Sequence, residues 1–170
     1  MVIILLAEGF EEVEALAPFD IMLRADIPVK TASIGTTTVK GAHGIKVEAD
    51  MLAEDIKEDE IEMLVLPGGM PGTTNLDQSP FTGKFIDATL RNGGHIAAIC
   101  AAPSILGKRG LLVGKKAICF PGFESSLEGA TVCYGTSVVS DDSFTTAKDF
   151  RCAYEFGDRL TEIYKKMKGC

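Results

Sequence analysis

The sequence predicts an α/β fold with a largely parallel sheet, and two observations carry that prediction. Short apolar runs alternate with longer stretches of helical periodicity, a rhythm that gives parallel strands joined by helical crossovers. The chain's 170 residues, 46% hydrophobic and 24% charged, are enough to bury one ordinary core but not comfortably two. One domain over residues 1–170 is therefore expected, with no repeat, low-complexity tract or linker to divide it.

Val2 to Ala7 predicts a buried strand, and Phe10 to Asp26 a helix whose opening acids, Glu11 and Glu12, suit its positive end. A second strand follows from Pro28 to Ile34. Thr37 to Asp50, containing Gly41 and Gly44, predicts a small hairpin excursion. Ile61 to Leu66 is a third core strand closed by Pro67-Gly68-Gly69, and Ser79 to Arg91 is helical. His95 to Ile99 is the next strand, with a short helix from Ala101 to Gly107. Lys115 to Phe120, Thr131 to Tyr134 and Ser137 to Asp141 complete the predicted strands, and Lys148 to Lys168 is a closing amphipathic helix.

Charge and cysteine content narrow the function. Seventeen basic against twenty-four acidic residues leave a net charge of −7, without the basic face that phosphate binding needs, so no nucleic-acid partner is expected. No apolar run approaches the ~18–20 residues of a membrane span. The opening VIILLA lacks a basic flank and runs straight into GFEEVE, so a cytoplasmic protein is expected. Five cysteines without a CxxC pair suggest neither a disulfide framework nor a metal site.

In parallel sheets, reactive groups gather beyond the carboxyl ends of the strands. Three segments meet that description: Glu8 to Glu14, Pro67 to Gly72, and the turn at Cys100. In Gly93-Gly94-His95-Ile96-Ala97-Ala98-Ile99-Cys100-Ala101-Ala102-Pro103, an apolar strand runs into Cys100, small residues flank it, and Pro103 suits the first turn of a helix. This is the layout of a nucleophile elbow with cysteine in place of serine. The helix end predicts a lowered thiol pKa and a thiolate at neutral pH. A buried structural cysteine is the competing reading, because Cys packs as a small hydrophobe. Cys119, Cys133 and Cys152 lack this context and read as structural; Cys170 reads as a tail thiol.

LAEGFEEVEA, LVLPGGMPG and IAAICAAPSIL, in that order and spacing, resemble the ThiJ/PfpI superfamily, in particular its parkinsonism-associated DJ-one branch and bacterial relatives. The likeness runs from Val2 to about Phe120 and loosens afterwards. It implies a flavodoxin-like, three-layer α/β/α sandwich of the class I glutamine amidotransferase kind, and a homodimer. It implies Cys100 as the reactive cysteine, Glu14 as the acid beside its sulfur, and the backbone N–H groups of Gly68, Gly69 and Ala101 as lining of the site. It also places Arg24 near the dimer contact. Periodicity alone does not choose Glu14 over Glu12, since both are followed by apolar residues at helical spacing.

The sequence departs from the family at one chemically important place. Many members carry a histidine downstream of the cysteine, and Phe120 occupies the matching position here; the protease-like branch has one directly after the cysteine, where this chain has Ala101. Only His43 and His95 exist. His95 starts the strand that ends at Cys100, about 16 Å away at strand rise. His43 sits in a glycine-rich excursion, read as a surface-loop residue near the subunit contact. Peptidase or amidase action, which needs an acid–base partner, is accordingly the weakest expectation.

Two functional expectations follow from the resemblance. In the first, favoured because it needs no histidine, Cys100 is a peroxide-oxidisable thiolate in a redox-responsive stress protein or chaperone. In the second, Cys100 and Glu14 form a cofactor-independent glyoxalase or protein deglycase acting on a small aldehyde. Neither expectation involves an organic cofactor, a metal or a membrane.

Overall fold

The computed structural model describes residues 1–169; Cys170 lies outside them. Its centre is a seven-stranded sheet ordered β10-β11-β7-β6-β1-β2-β5. The inner strands are β1 (Val2–Leu6), β6 (Met63–Leu66) and β7 (His95–Ile99), flanked by β2 (Val29–Ser33) and β11 (Phe144–Ala147). Short β5 (Met51–Leu52) and β10 (Val138–Asp141) form the edges. All pairings are parallel except β10 with β11. This is the mostly parallel, helix-covered sheet that the sequence predicts.

Alternation along β1 explains the layering. Val2, Ile4 and Leu6 point to one face, where they meet Ala15 and Met22 of α1 (Glu12–Arg24) and Phe156 and Leu160 of α5 (Ala153–Lys168). Ile3 and Leu5 point to the other, with Phe85 and Ile86 of α3 (Pro80–Arg91) and Ile105 of α4 (Pro103–Lys108). Both faces are covered, so every residue of β1 is buried. Each large side chain so buried contributes about 1.5–3 kcal/mol. Gly157 allows α1 and α5 to approach closely: a Cβ there would lie 2.9 Å from the Pro18 Cα.

The excursion after β2 is an antiparallel pair, β3 (Thr38–Lys40) with β4 (Lys46–Glu48), as expected. Other expectations need correction. The predicted Lys115 to Phe120 strand shrinks to β8 (Lys116–Ala117), paired with β9 (Thr131–Val132) outside the main sheet. The closing helix starts at Ala153, after a 3-10 turn over Phe150–Cys152. The short helix α2 (Gly72–Gln78) and the central strand β11 were not anticipated. No helix among the described residues is long and apolar enough to cross a membrane. The cysteines at 100, 119, 133 and 152 are all free.

Candidate active site

β1, β6 and β7 lie side by side, and the segments leaving their carboxyl ends converge on one cleft. Between β1 and β6 the strand order changes direction: the chain goes from β1 to β2 on one side and then returns to β6 on the other. Crevices at such points are where ligands sit in open parallel sheets.

Cys100 leaves β7 with φ +65°, a left-handed conformation that a non-glycine residue adopts at a cost of about 1–3 kcal/mol. Backbone hydrogen bonds hold it there: the Cys100 N–H donates to Ala147 O (2.9 Å), and the Phe120 N–H donates to Cys100 O (2.8 Å). The elbow predicted from the flanking small residues is therefore present, fixed by β11 on one side and Phe120 on the other.

Gly68 and Gly69 leave the room that the elbow requires. A Cβ on Gly68 would stand 2.6 Å from the Cys100 Cβ and 2.7 Å from Glu14 Oε2. Gly69 has φ +88°, and a Cβ there would lie 2.4 Å from Glu11 N. The two glycines thus let the β6 turn fit between α1 and Cys100. Their amides divide the work. Gly68 N–H donates to Glu14 Oε2 at 2.9 Å, while the N–H groups of Gly69 and Ala101 are directed at the Cys100 sulfur.

Glu14 is fully buried on the first turns of α1, and its Oε1 has no hydrogen-bond partner. Burial pushes the carboxyl up to about 7; the neighbouring Cys100 thiol and the Gly68 amide oppose the rise, and the charges of Glu11 and Asp149 add to it. Burial also pushes the Cys100 thiol up, reinforced by the charge of Glu14 and only partly offset by the Ala101 and Gly69 amides. This corrects the expectation of a thiol pKa lowered by the helix end. The two groups are coupled, so the first proton lost leaves one negative charge for the pair, and the second loss is opposed by that charge.

The cleft above the pair encloses about 380 Å³. Glu14, Cys100, Gly69 and Ala101 form its base, and Met70, Phe120, Phe123 and Phe150 give it apolar walls. Phe120 and Phe123 pack edge to face at 6.4 Å. Phe120 thus stands beside the cysteine, where the sequence comparison located a missing histidine. Phe150 was not foreseen; it arrives through β11, which no aliphatic run announced.

His43, expected in a surface loop near a subunit contact, lies in the exposed turn between β3 and β4 and lines this same cleft of its own chain. Its Nδ1 lies 2.9 Å from Glu12 Oε2 and 3.4 Å from Glu11 Oε1. Those contacts, Glu12 first, raise the imidazole pKa. Burial opposes ionisation of Glu12, but the hydrogen bonds from His43 and Ile45 hold its carboxyl below the ordinary value. Glu12 and Glu14 therefore take separate tasks: one anchors the His43 loop, the other faces the sulfur. His95 is remote, buried at the start of β7 and bonded to Thr145 Oγ1 at 2.8 Å; burial lowers it to about 4. Arg24 lies outside the cleft, at the last turn of α1, paired with Asp20 at 2.8 Å.

Comparison with known proteins identifies the family. Residues 1–163 match the DJ-1/PfpI family. Protein dj-1beta of Drosophila melanogaster is 32% identical over 94% of this chain and 87% of its own length. The glutathione-independent glyoxalase DJR-1.2 of Caenorhabditis elegans is 29% identical over 94% of this chain and 86% of its own. Among solved structures, oxidized Toxoplasma gondii DJ-1 superposes with a TM-score of 0.90 at 32% identity, covering 96% of this chain and 89% of that one. With its motifs, fold and sequence in agreement along almost its whole length, the chain belongs to the DJ-1/PfpI family.

Proposed function

We propose that this protein converts small 2-oxoaldehydes to 2-hydroxy acids through Cys100 and Glu14. The carrying observation is a buried carboxyl, titrating near neutrality, beside a cysteine on a strained elbow at the base of an apolar cleft. A proton-transfer group works best with a pKa near the operating pH. The glyoxalase named among its relatives supports the reading.

The Cys100 sulfur adds to the aldehyde carbon, and the carbonyl oxygen takes up a proton, giving a hemithioacetal. Glu14 removes the proton from that carbon and returns it to the adjacent one through an enediol. C1 is thereby oxidised and C2 reduced, leaving a 2-hydroxy thioester. Water then cleaves the thioester to the hydroxy acid and restores the thiol. The electrons are redistributed within the substrate, so the sequence of steps balances without a cofactor. Amides at Gly69 and Ala101 stabilise negative charge as it develops near the sulfur. Early glycation adducts of amino groups, the deglycase substrates, use the same groups.

Methylglyoxal consumption with lactate formation tests this proposal. Cys100→Ser is expected to abolish turnover, and Glu14→Gln to reduce kcat by about 10²–10⁴-fold. Absence of Cys100-dependent turnover, with selective peroxide oxidation of Cys100, would instead establish the redox-responsive reading. A specific feature favours that second reading: the Glu14 Oε1 that lacks a partner is available, when protonated, to donate to an oxygen added to the sulfur. We also propose a cytoplasmic homodimer using the exposed Leu23–Arg24 end of α1, on the strength of family membership. Light scattering at micromolar concentration checks the assembly; a monomer contradicts it.

A further inference from the structure

We infer that His43, oriented by Glu12, is the acid–base residue on the wall of the Cys100 cleft, replacing the side chain that Phe120 cannot supply. The inference rests on the aldehyde-converting reading above and deepens it. Phe120 has no titratable group, and its ring walls the cleft. Of the chain's two histidines, His95 is committed to Thr145 at the far end of β7. His43 is the imidazole that reaches the cleft.

The His43 loop is built around one carboxylate. Glu12 is only 5% exposed, and its Oε1 accepts the backbone N–H of His43 (2.8 Å) and that of Ile45 (3.3 Å). Gly41 must lack a side chain, since a Cβ there would fall 2.3 Å from Glu12 Oε1. The Ala42 N–H donates to Phe10 O (2.8 Å), and the Gly41 N–H to Ile45 O (2.8 Å), tying the loop to the entrance of α1. Facing a carboxylate, Nδ1 is the nitrogen that carries a proton. Nε2 has no hydrogen bond among the described residues and is available to substrate. This is the base-and-orienter arrangement of a catalytic dyad.

The role follows from the chemistry. As Glu14 draws the proton from C1 of the hemithioacetal, negative charge grows on the ketone oxygen at C2. The His43 imidazolium donates the Nε2 proton to that oxygen, forming the enediol. As Glu14 reprotonates C2, the neutral imidazole accepts the proton of the C1 hydroxyl, whose oxygen becomes the thioester carbonyl. The C2 oxygen keeps the donated hydrogen as the product hydroxyl, and His43 returns to imidazolium. Glu11 and Glu12 from the start of α1 contact His43, Glu14 and Cys100 line the same cleft, and the Lys40 side chain lies beside Gly44 of the loop. The acids at 11 and 12 favour the imidazolium, so donation extends to higher pH than an isolated histidine would allow.

The test measures methylglyoxal turnover, its pH profile and Cys100 alkylation by iodoacetamide in the full-length protein. His43→Gln keeps a donor for Glu12 but no acid–base group, and is the decisive variant; His43→Ala is its companion. Both should lose about 10²–10⁴-fold in kcat while Cys100 alkylates at the wild-type rate. Added imidazole should restore part of the His43→Ala activity. Glu12→Gln should move the alkaline limb of the kcat profile to lower pH, because the charge that favours the imidazolium is gone. Wild-type kcat and an unchanged alkaline limb in His43→Gln, in a protein that does turn over through Cys100, would overturn this inference alone. Absence of Cys100-dependent turnover in the wild type would overturn it together with the reading it deepens.

Discussion

Glu14 gains its properties from position more than from residue type. Glu11 and Glu12, its neighbours in the same GFEEVE segment, share its chemistry, but only Glu14 is carried wholly out of water beneath Gly68 and beside Cys100. The pH dependence of stability should reveal this. Its folded pKa of about 7 lies above the ordinary value of 4.5, so the folded state binds more protons than the unfolded state between those pH values. Stability from this group is therefore present below about pH 4.5 and lost as pH rises through 7, a change of about 3 kcal/mol at most. His95, lowered to about 4, acts in the opposite direction over part of that window, so the wild-type curve mixes the two. Urea denaturation of wild type and Glu14→Gln isolates the contribution of Glu14: the variant should gain relative stability from pH 4.5 to 7. Parallel curves would contradict the burial of an ionisable carboxyl. In the sequence, Cys100 was legible because a strand, small residues and a proline surround it locally. The upward push on its thiol was not, since it comes from Glu14 and from burial, both products of the tertiary fold. His43 escaped for the same reason, its anchor lying 31 positions away at Glu12.

At the scale of elements, legibility followed apolar content. β1, β6 and β7 are aliphatic or alanine-rich and were read with bounds within a few residues. β11 was missed because its sequence is Phe-Thr-Thr-Ala, although Thr145 and Thr146 are at most 1% exposed. Their hydroxyls are satisfied by distant partners: Thr145 meets His95 Nε2 (2.8 Å) and Ser140 Oγ (2.9 Å), and Thr146 accepts from the Ile118 N–H (2.9 Å). A central strand can be polar when its neighbours supply hydrogen bonds, and no local pattern records that. The short α2, Gly-Thr-Thr-Asn-Leu-Asp-Gln, was missed because most of those residues are weak helix formers. Thr145→Val tests the account of β11. It leaves the buried His95 ring nitrogen unpaired and should cost about 1–3 kcal/mol in urea denaturation. A neutral substitution would show that the bond contributes little and that packing alone holds β11 in place.

Across the whole molecule, the mostly parallel sheet brings residues 14, 69 and 100 into one cleft. A reversal of strand order puts β1 between β2 and β6, and the three turns leaving β1, β6 and β7 meet at its edge. The fold's burial of that edge then couples Glu14 to Cys100, and this coupling underlies both the proposed proton transfer and the alternative of controlled oxidation. The most direct test is the rate of Cys100 alkylation against pH, read by peptide mass spectrometry in wild type and Glu14→Gln. Coupling predicts two steps in the wild type: one near neutrality, where the pair loses its first proton, and another at distinctly higher pH, where the last proton leaves against an existing charge. Glu14→Gln should collapse these into a single step. Superimposable profiles from the two proteins would contradict the shared charge on which the account rests.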